Sequence, residues 1–472
     1  MITANKLNIM ENFHNARVAA KEKNSSVLFS EVTKIGMLDP LSFYQSGKEN
    51  YNGDRFFWQD PKKATILAGV GKIDVFQSSL NQNRYKEIEK QWENLIEHAF
   101  VIKDQDIPGT GPLLFGGFSF DSAKSNSMLW DQFGDHLFYI PKYLLSIING
   151  QAYLTVNALI DSDDLSMLTE AGKEIDALIA KAQHFKNLPA DQNVLMEQLE
   201  VFPEQWKEIV QTAINEIRTT DLDKLVLARE TRLKFQSAIS SEIVLNRLML
   251  EQPASFIFCL ESGSDFFIGA SPEQLVQKNG TSLSSACLAG SIARGKTTEE
   301  DNVLGETLLH DQKNLIEHQY VVSMIKHAME TICGIVMVPD APQLMKTRHI
   351  QHLYTPVAGE SRSGVSIFDC VEKLHPTPAM GGLPKEKAVE RIRELELLER
   401  GFYASPIGWA DGQGNGEFAV AIRSALVQGN EASLFAGCGI VEDSEPQSEY
   451  IETAIKFKPM LSALGGNLHA TS

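Results

Sequence analysis

Cysteine is scarce in this 472-residue chain. The five cysteines stand at 259, 287, 333, 370 and 438, and no two are spaced as a CxxC pair. That argues against a disulfide frame and a thiolate zinc cluster, and it suits a reducing, cytoplasmic setting. Long apolar runs are missing too. No stretch approaches the roughly 18 apolar residues a spanning helix needs, so no membrane association is expected. The N-terminal MITANKLNIMENFHNARVAAKEK lacks the apolar core of a signal peptide. Positive charge is in deficit: 43 Lys and Arg against 61 Asp and Glu give a formal charge of -18, with no basic stripe. A nucleic-acid partner is therefore not expected, because phosphate binding needs one. A small anionic ligand remains open, since it meets only local charge. Nucleotide-binding glycine patterns are absent as well. There is no GxxxxGK[ST], and Gly69 and Gly71 in GVGKID lack the third glycine of a dinucleotide fingerprint.

What is present is an ordinary globular composition, 43% apolar and 22% charged, in a chain long enough to bury a large core without staples. Residues 64–76 and 112–120 read as strands. Between them, 83–102 has helical periodicity through Ile88, Trp92, Leu95 and Ile96. Strands at 137–148 and 151–160 are joined by Asn149-Gly150, a hairpin turn signal. A helix at about 165–185 gives way to a polar stretch, 186–203, the best candidate boundary. It separates residues 1–203, an α/β region intertwined with the rest, from a catalytic region, 204–465. The second part reads as helix 204–219, strand 224–235, strands 254–261 and 265–270, and one long helix from about 299 to 334. Strand 344–358, helix 366–374, a Pro/Gly loop (HPTPAMGGLPK), helix 384–400, long hairpins over 405–441 and a final helix at 445–464 follow. Hairpins mixed with helices indicate an α+β fold.

Several residues could carry chemistry. Glu449, Glu452 and Lys456 share one face of the final helix. Two carboxylates one turn apart offer hard oxygen ligands to Mg²⁺; the plain alternative is a solvated face with a Glu452–Lys456 ion pair. Asn314 and Glu317, again three apart, precede His318. Lys224 opens its strand on one face with Val226 and Ala228. Turned inward, it is a buried amine of lowered pKa, suited to act as a base; turned outward, it pairs with Asp221 or Asp223. Glu273, in IGASPEQL, follows a strand and can act as an acid if desolvated; otherwise it is a helix-start carboxylate. Glycines in LAGS (288–291) and AGCGI (436–440) allow close approach of an anion to backbone. Arg423, inside the apolar AVAIRSAL strand, needs a carboxylate partner, from the protein or from a ligand.

Together these pieces resemble the chorismate-utilising enzymes, the isochorismate, salicylate, anthranilate and aminodeoxychorismate synthases. KLVLAR, GASPEQL, LAGS-x-x-RG, Glu317-His318, HPTPAMGGLPK, AIRSAL, LFAGCGIV and SEYIETAIK occur in family order over about 204–465, and FGGFSFD (115–121) adds to them. The resemblance implies an anthranilate-synthase-like chorismate-binding fold, large antiparallel sheets packed as a sandwich with helices outside. It implies Lys224 as the base that activates water for attack at C2 of chorismate, and Glu273 as the acid at the C4 hydroxyl. It implies Mg²⁺ on Glu317 and Glu452, with Glu449 and Asn314 one turn away; the family often has a second Glu where Asn314 stands. It places Gly290, His352, Tyr403, Arg423, Gly437, Gly439 and Lys456 against the substrate. Three positions discriminate among members. Ala289 stands where aminodeoxychorismate synthases carry a nucleophilic lysine. Lys224 stands where ammonia-using enzymes have glutamine. Ala379 stands where the pyruvate-eliminating members have threonine. The pattern resembles isochorismate synthases, and the long region ahead of Lys224 resembles the menaquinone-pathway type. Such an enzyme is expected as a cytoplasmic monomer or homodimer without an amidotransferase subunit.

Overall fold

The computed structural model describes residues 16–466 apart from 19, 23–25, 79–82, 125–127, 161–166, 185–192 and 348–349. Among these residues 21 strands form one hydrogen-bonded network with helices packed against it, a mixed α+β architecture. All pairings are antiparallel except Val27–Ile35 with Phe100–Ile102. The path of pairing explains the shape. Strand Lys224–Phe235 lies at one end, beside Glu431–Ile440. The order then runs through Ser424–Gln428, Asp265–Ser271, Phe256–Ser262 and Arg55–Gln59. It continues through Thr65–Ser78, His136–Ile148, Leu113–Phe118 and Pro406–Asp411. Gly416–Val420, Gln274–Asn279, Ser282–Ala293 and Ile350–Ser361 complete it.

The sheet folds over on itself along this path. Phe56 stacks on Phe115, three strands away, with ring centroids 4.2 Å apart. Both faces are buried, because successive side chains point to opposite sides of a strand. In Arg55–Gln59, Phe56 and Trp58 join one aromatic-rich core while Phe57 joins a second. That second core is covered by helices Pro40–Ser46, Met167–His184, Ser241–Glu251 and Pro446–Ala463. The Asn149-Gly150 turn has both residues at positive φ, as a two-residue hairpin needs.

Several expectations are corrected. The polar stretch 186–203 holds strand Leu195–Glu200, hydrogen-bonded to the strand of Lys224; residues 186–192 lie outside the described part. The helix expected at 83–102 ends at Glu97, and Phe100–Ile102 is a strand. The long helix is two, Thr298–His310 and Gln312–Ile332, broken at Asp311. The Asp311 carboxylate accepts from Asn314 N–H at 2.8 Å and caps the second helix. The chain then becomes strand Cys333–Met337. Helix Lys385–Leu395 is shorter than the 384–400 expected. AVAIRSAL is not one strand: Gly416–Val420 stops, and Ser424–Gln428 starts beside different neighbours.

One buried charge cluster joins early and late parts of the chain. Arg55, 1% exposed, donates from Nε and Nη2 to Glu261 at 2.9 and 2.6 Å and from Nη1 to Glu242 at 2.9 Å. Its guanidinium lies 4.3 Å from the centre of the Tyr44 ring. Removing the cation leaves buried Glu261 without a cationic partner and leaves Glu242 to Lys48 alone, at 3.0 Å. Arg55→Met is therefore expected to lower the free energy of unfolding by about 3–5 kcal/mol. Urea denaturation checks this; a loss under about 1 kcal/mol would mean that the cluster relaxes into water.

Candidate active site

The two ends of the sheet meet around a cavity of about 470 Å³. Strands Lys224–Phe235 and Glu431–Ile440 supply Lys224, Gly437 and Gly439 from one end. Strands Ser282–Ala293 and Ile350–Ser361 supply Gly290 and His352 from the other. Helix Gln312–Ile332 adds Glu317, and helix Pro446–Ala463 adds Glu449, Glu452 and Lys456. Glu273, Ala379, Tyr403 and Arg423 complete the wall from turns and strand ends. The residues singled out from the sequence thus line one cavity, except His318, which is buried behind it with its ring bonded to the Ala289 carbonyl and to Thr355.

Lys224 faces inward at 7% exposure, and its amine donates to Glu317 at 2.7 Å. The partners considered for an outward lysine, Asp221 and Asp223, are not used; Asp221 pairs with Lys387. Burial pushes Glu273 up to about 7, against the pull of Arg423, Lys224 and Lys456. Its backbone is fixed: the carbonyl accepts from Val420 N–H at 3.0 Å, and its N–H donates to Ser271 Oγ at 3.2 Å. Lys456 donates to the Gly437 carbonyl at 2.8 Å and pairs with Glu452 at 2.7 Å. Burial lowers His352 to about 3, so its imidazole is neutral, and raises Tyr403 to about 12, so its phenol keeps its proton.

Arg423 sits between two strands at φ 53°, a left-handed conformation that arginine seldom adopts. Burial works against its charge, with Tyr403, Glu273 and Glu452 opposing that effect. Yet among the described residues no carboxylate forms a salt bridge with its guanidinium. A strained, desolvated arginine without a bridging partner, facing a cavity, is a site for an anion.

Residues 12–465 match the family model described as chorismate binding enzyme. The chain belongs to that family. Isochorismate synthase MenF of Bacillus subtilis is 47% identical over 451 residues, 95% of either chain. The menaquinone-specific isochorismate synthase MenF of Escherichia coli shares the fold, with a TM-score of 0.77 at 24% identity over 96% of this chain and 99% of the other. Anthranilate synthase component I of Streptococcus pneumoniae shares it at a TM-score of 0.69 and 22% identity, over 84% of this chain and 92% of the other.

In this member of the family the carboxylates Glu317, Glu449 and Glu452 border the cavity. Their hard oxygens suit a divalent cation such as Mg²⁺. Burial and the Glu452 charge raise Glu449, which Ser444 and Lys456 oppose, so like charge is already concentrated there. Among the described residues no group of three or more His, Cys, Asp or Glu is drawn together as a metal cage. Glu317 and Glu452 are instead each held by a lysine.

The sequence reading passed over Glu396 and Arg400, a buried pair in which Arg400 also lines the cavity. Their spacing of four is the available signal, but it reads equally as a solvated pair at a helix end.

Gly439 sets where the end of Lys224 can lie. A Cβ there would lie 2.5 Å from Lys224 Cε and 3.1 Å from its Nζ. Gly439→Ala is expected to displace the amine and lower kcat about 10- to 100-fold with the fold intact. Steady-state kinetics checks it; a kcat within about threefold of the parent would mean that the amine has room to spare.

Proposed function

We propose that the chain is an isochorismate synthase, converting chorismate to isochorismate by adding water at C2 while the C4 hydroxyl departs and the ring double bonds shift. The observation that carries this reading is the convergence on one cavity of a buried amine, Lys224, a desolvated carboxyl, Glu273, and an unbridged arginine, Arg423. The relative that aligns with 95% of this chain is itself an isochorismate synthase.

Lys224 accepts the proton of the attacking water, in the state in which Glu317 is engaged elsewhere. Glu273 donates its proton to the departing hydroxyl, so the proton taken at one end is supplied at the other and the reaction is an isomerisation. Arg423, Lys456 and Tyr403 receive the anionic oxygens of the substrate and hold the ring between base and acid. Glycines 290, 437 and 439 let the ring and the lysine approach backbone closely, and neutral His352 faces the C4 side. Glu317 and Glu452, with Glu449 beside them, would hold Mg²⁺, which when bound would neutralise a substrate carboxylate. Ala379 leaves the product unreacted, where threonine accompanies pyruvate elimination. A lysine at 224, which suits water better than ammonia, supports action without an amidotransferase subunit. Similarity over nearly the whole length to MenF supports the menaquinone-pathway type, and five buried free thiols fit the cytoplasm.

Incubation with chorismate and Mg²⁺ is expected to yield isochorismate by chromatography, with activity lost in EDTA and restored by added Mg²⁺. Salicylate with pyruvate as products would favour a salicylate synthase, and EDTA-insensitive turnover would remove the metal from the scheme.

The acid must be protonated to act. Since Glu273 is pushed up to about 7 by burial, its protonated fraction falls as pH rises through that value. The profile of kcat/KM, which reports the free enzyme, is expected to show a descending limb centred near pH 7. A flat profile across the neutral to mildly alkaline range would contradict the assignment of Glu273.

A further inference from the structure

One edge of strand Lys224–Phe235 pairs along nearly its whole length with Glu431–Ile440. Among the described residues the other edge has strand neighbours only at its ends. Gly382–Leu383 lies opposite Leu225 and Lys224, and Leu195–Glu200 lies opposite Phe235 through Thr231. Between them Val226 and Ala228 face no strand, yet buried backbone groups need partners. Val226 N–H donates to the Gly381 carbonyl at 2.9 Å. Its carbonyl accepts from Arg400 Nη2 at 2.6 Å. Ala228 N–H donates to Glu396 Oε1 at 2.7 Å, and its carbonyl accepts from Trp206 Nε1 at 3.0 Å.

Arg400 and Glu396 thus stand in for a missing strand. They are 3% and 8% exposed, and joined by two bonds, Nη2 to Oε1 at 2.5 Å and Nε to Oε2 at 2.9 Å. Arg400 reaches further: Nη1 donates to the Met380 carbonyl at 2.9 Å, next to Ala379. One guanidinium therefore ties the strand that carries the lysine to the loop that carries Ala379.

We propose that Arg400 and Glu396 are positioning residues, which fix the spacing between the Lys224 strand and the Ala379–Met380 loop and so set the rate of turnover. The inference takes its assay from the isochorismate synthase reading. Arg400 borders the cavity, so direct substrate binding is the competing role. The two differ in which constant moves. A positioning pair acts on kcat through either member, whereas a substrate contact acts on KM through Arg400 alone.

The test is steady-state kinetics on the full chain with chorismate and Mg²⁺, for the parent, Glu396→Gln and Arg400→Lys. Glutamine keeps the shape but loses the charge; lysine keeps the charge but not the fork. Both variants are expected to lose about 10- to 100-fold in kcat, with KM within about threefold. Arg400→Lys raising KM at unchanged kcat would overturn the proposal in favour of substrate contact. A folded variant with parental kcat and KM would overturn it outright. If neither variant shows parental near-ultraviolet circular dichroism, the pair serves stability alone and the proposal fails. A parent that makes no isochorismate would instead defeat the functional reading itself.

Discussion

The ion pair between Lys224 and Glu317 closes the cleft on which everything else at the site depends. Lys224 opens the strand at one end of the sheet, and Glu317 rides on a helix packed against a strand near the other end. An amine so deeply buried is tolerable only when a carboxylate compensates it, and Glu317 does so at 2.7 Å. Other features follow from that placement. A side chain at position 439 would push the end of the lysine aside, because the Cε lies 2.5 Å from where its Cβ would be. The next lysine along, Lys456, is held in the same manner, by a helix carboxylate and the Gly437 carbonyl. The front half of the chain reaches the edge of the same strand through Phe120. The Phe120 N–H donates to the Gly401 carbonyl at 2.7 Å, and its ring lies 4.1 Å from the Arg400 guanidinium, bracing the segment that caps the Lys224 strand.

The net charge of -18 is no obstacle to an anionic ligand, because the charges that matter are those left unbalanced inside the cavity. Glu317 and Glu452 are each balanced by a lysine. Glu273 is partly protonated near neutrality, so burial removes much of its charge. Glu449 is raised by burial and by Glu452, and Arg423 is a desolvated cation with no bridging carboxylate among the described residues. Acidic side chains thus border the site without bridging the Arg423 guanidinium.

Parts of this arrangement are legible from sequence, and the reasons for success and failure are physical. KLVLARETRLKF alternates and is rich in strand-favouring residues, and Lys224–Phe235 is a strand. Asn149-Gly150 permits positive φ at both positions, and the hairpin forms there. LMEQLE, by contrast, has the composition of a helix; it is a strand because a distant edge offers partners. The break at Asp311 is hidden because Asp-Gln-Lys-Asn suits a helix interior as well as a cap. The left-handed turn at Arg423 carries no glycine to announce it. The site residues were gathered by the order of their motifs, since no spacing along the chain brings Lys224 to Glu317. Glu396 and Arg400 escaped because a spacing of four says nothing about burial.

The carboxyl groups of the site share one chemistry and differ by what holds them. Glu273 is 5% exposed, follows a proline, and has both backbone groups bonded, so its side chain starts from a fixed point in a dry wall. Desolvation there favours the neutral form, and no lysine bridge is available to reverse it. Glu317 and Glu452 project from helix faces with side chains 39% and 49% exposed. Water screens their charge, so the cost of a change of partner falls on the buried amine of Lys224 and not on the carboxylates. A group that must keep its proton near neutrality belongs in the first setting. Carboxylates that hold a lysine while half solvated belong in the second. The division between strand end and helix face therefore separates a carboxyl that burial holds toward its neutral form from carboxylates that keep their charge beside a lysine, before any ligand arrives.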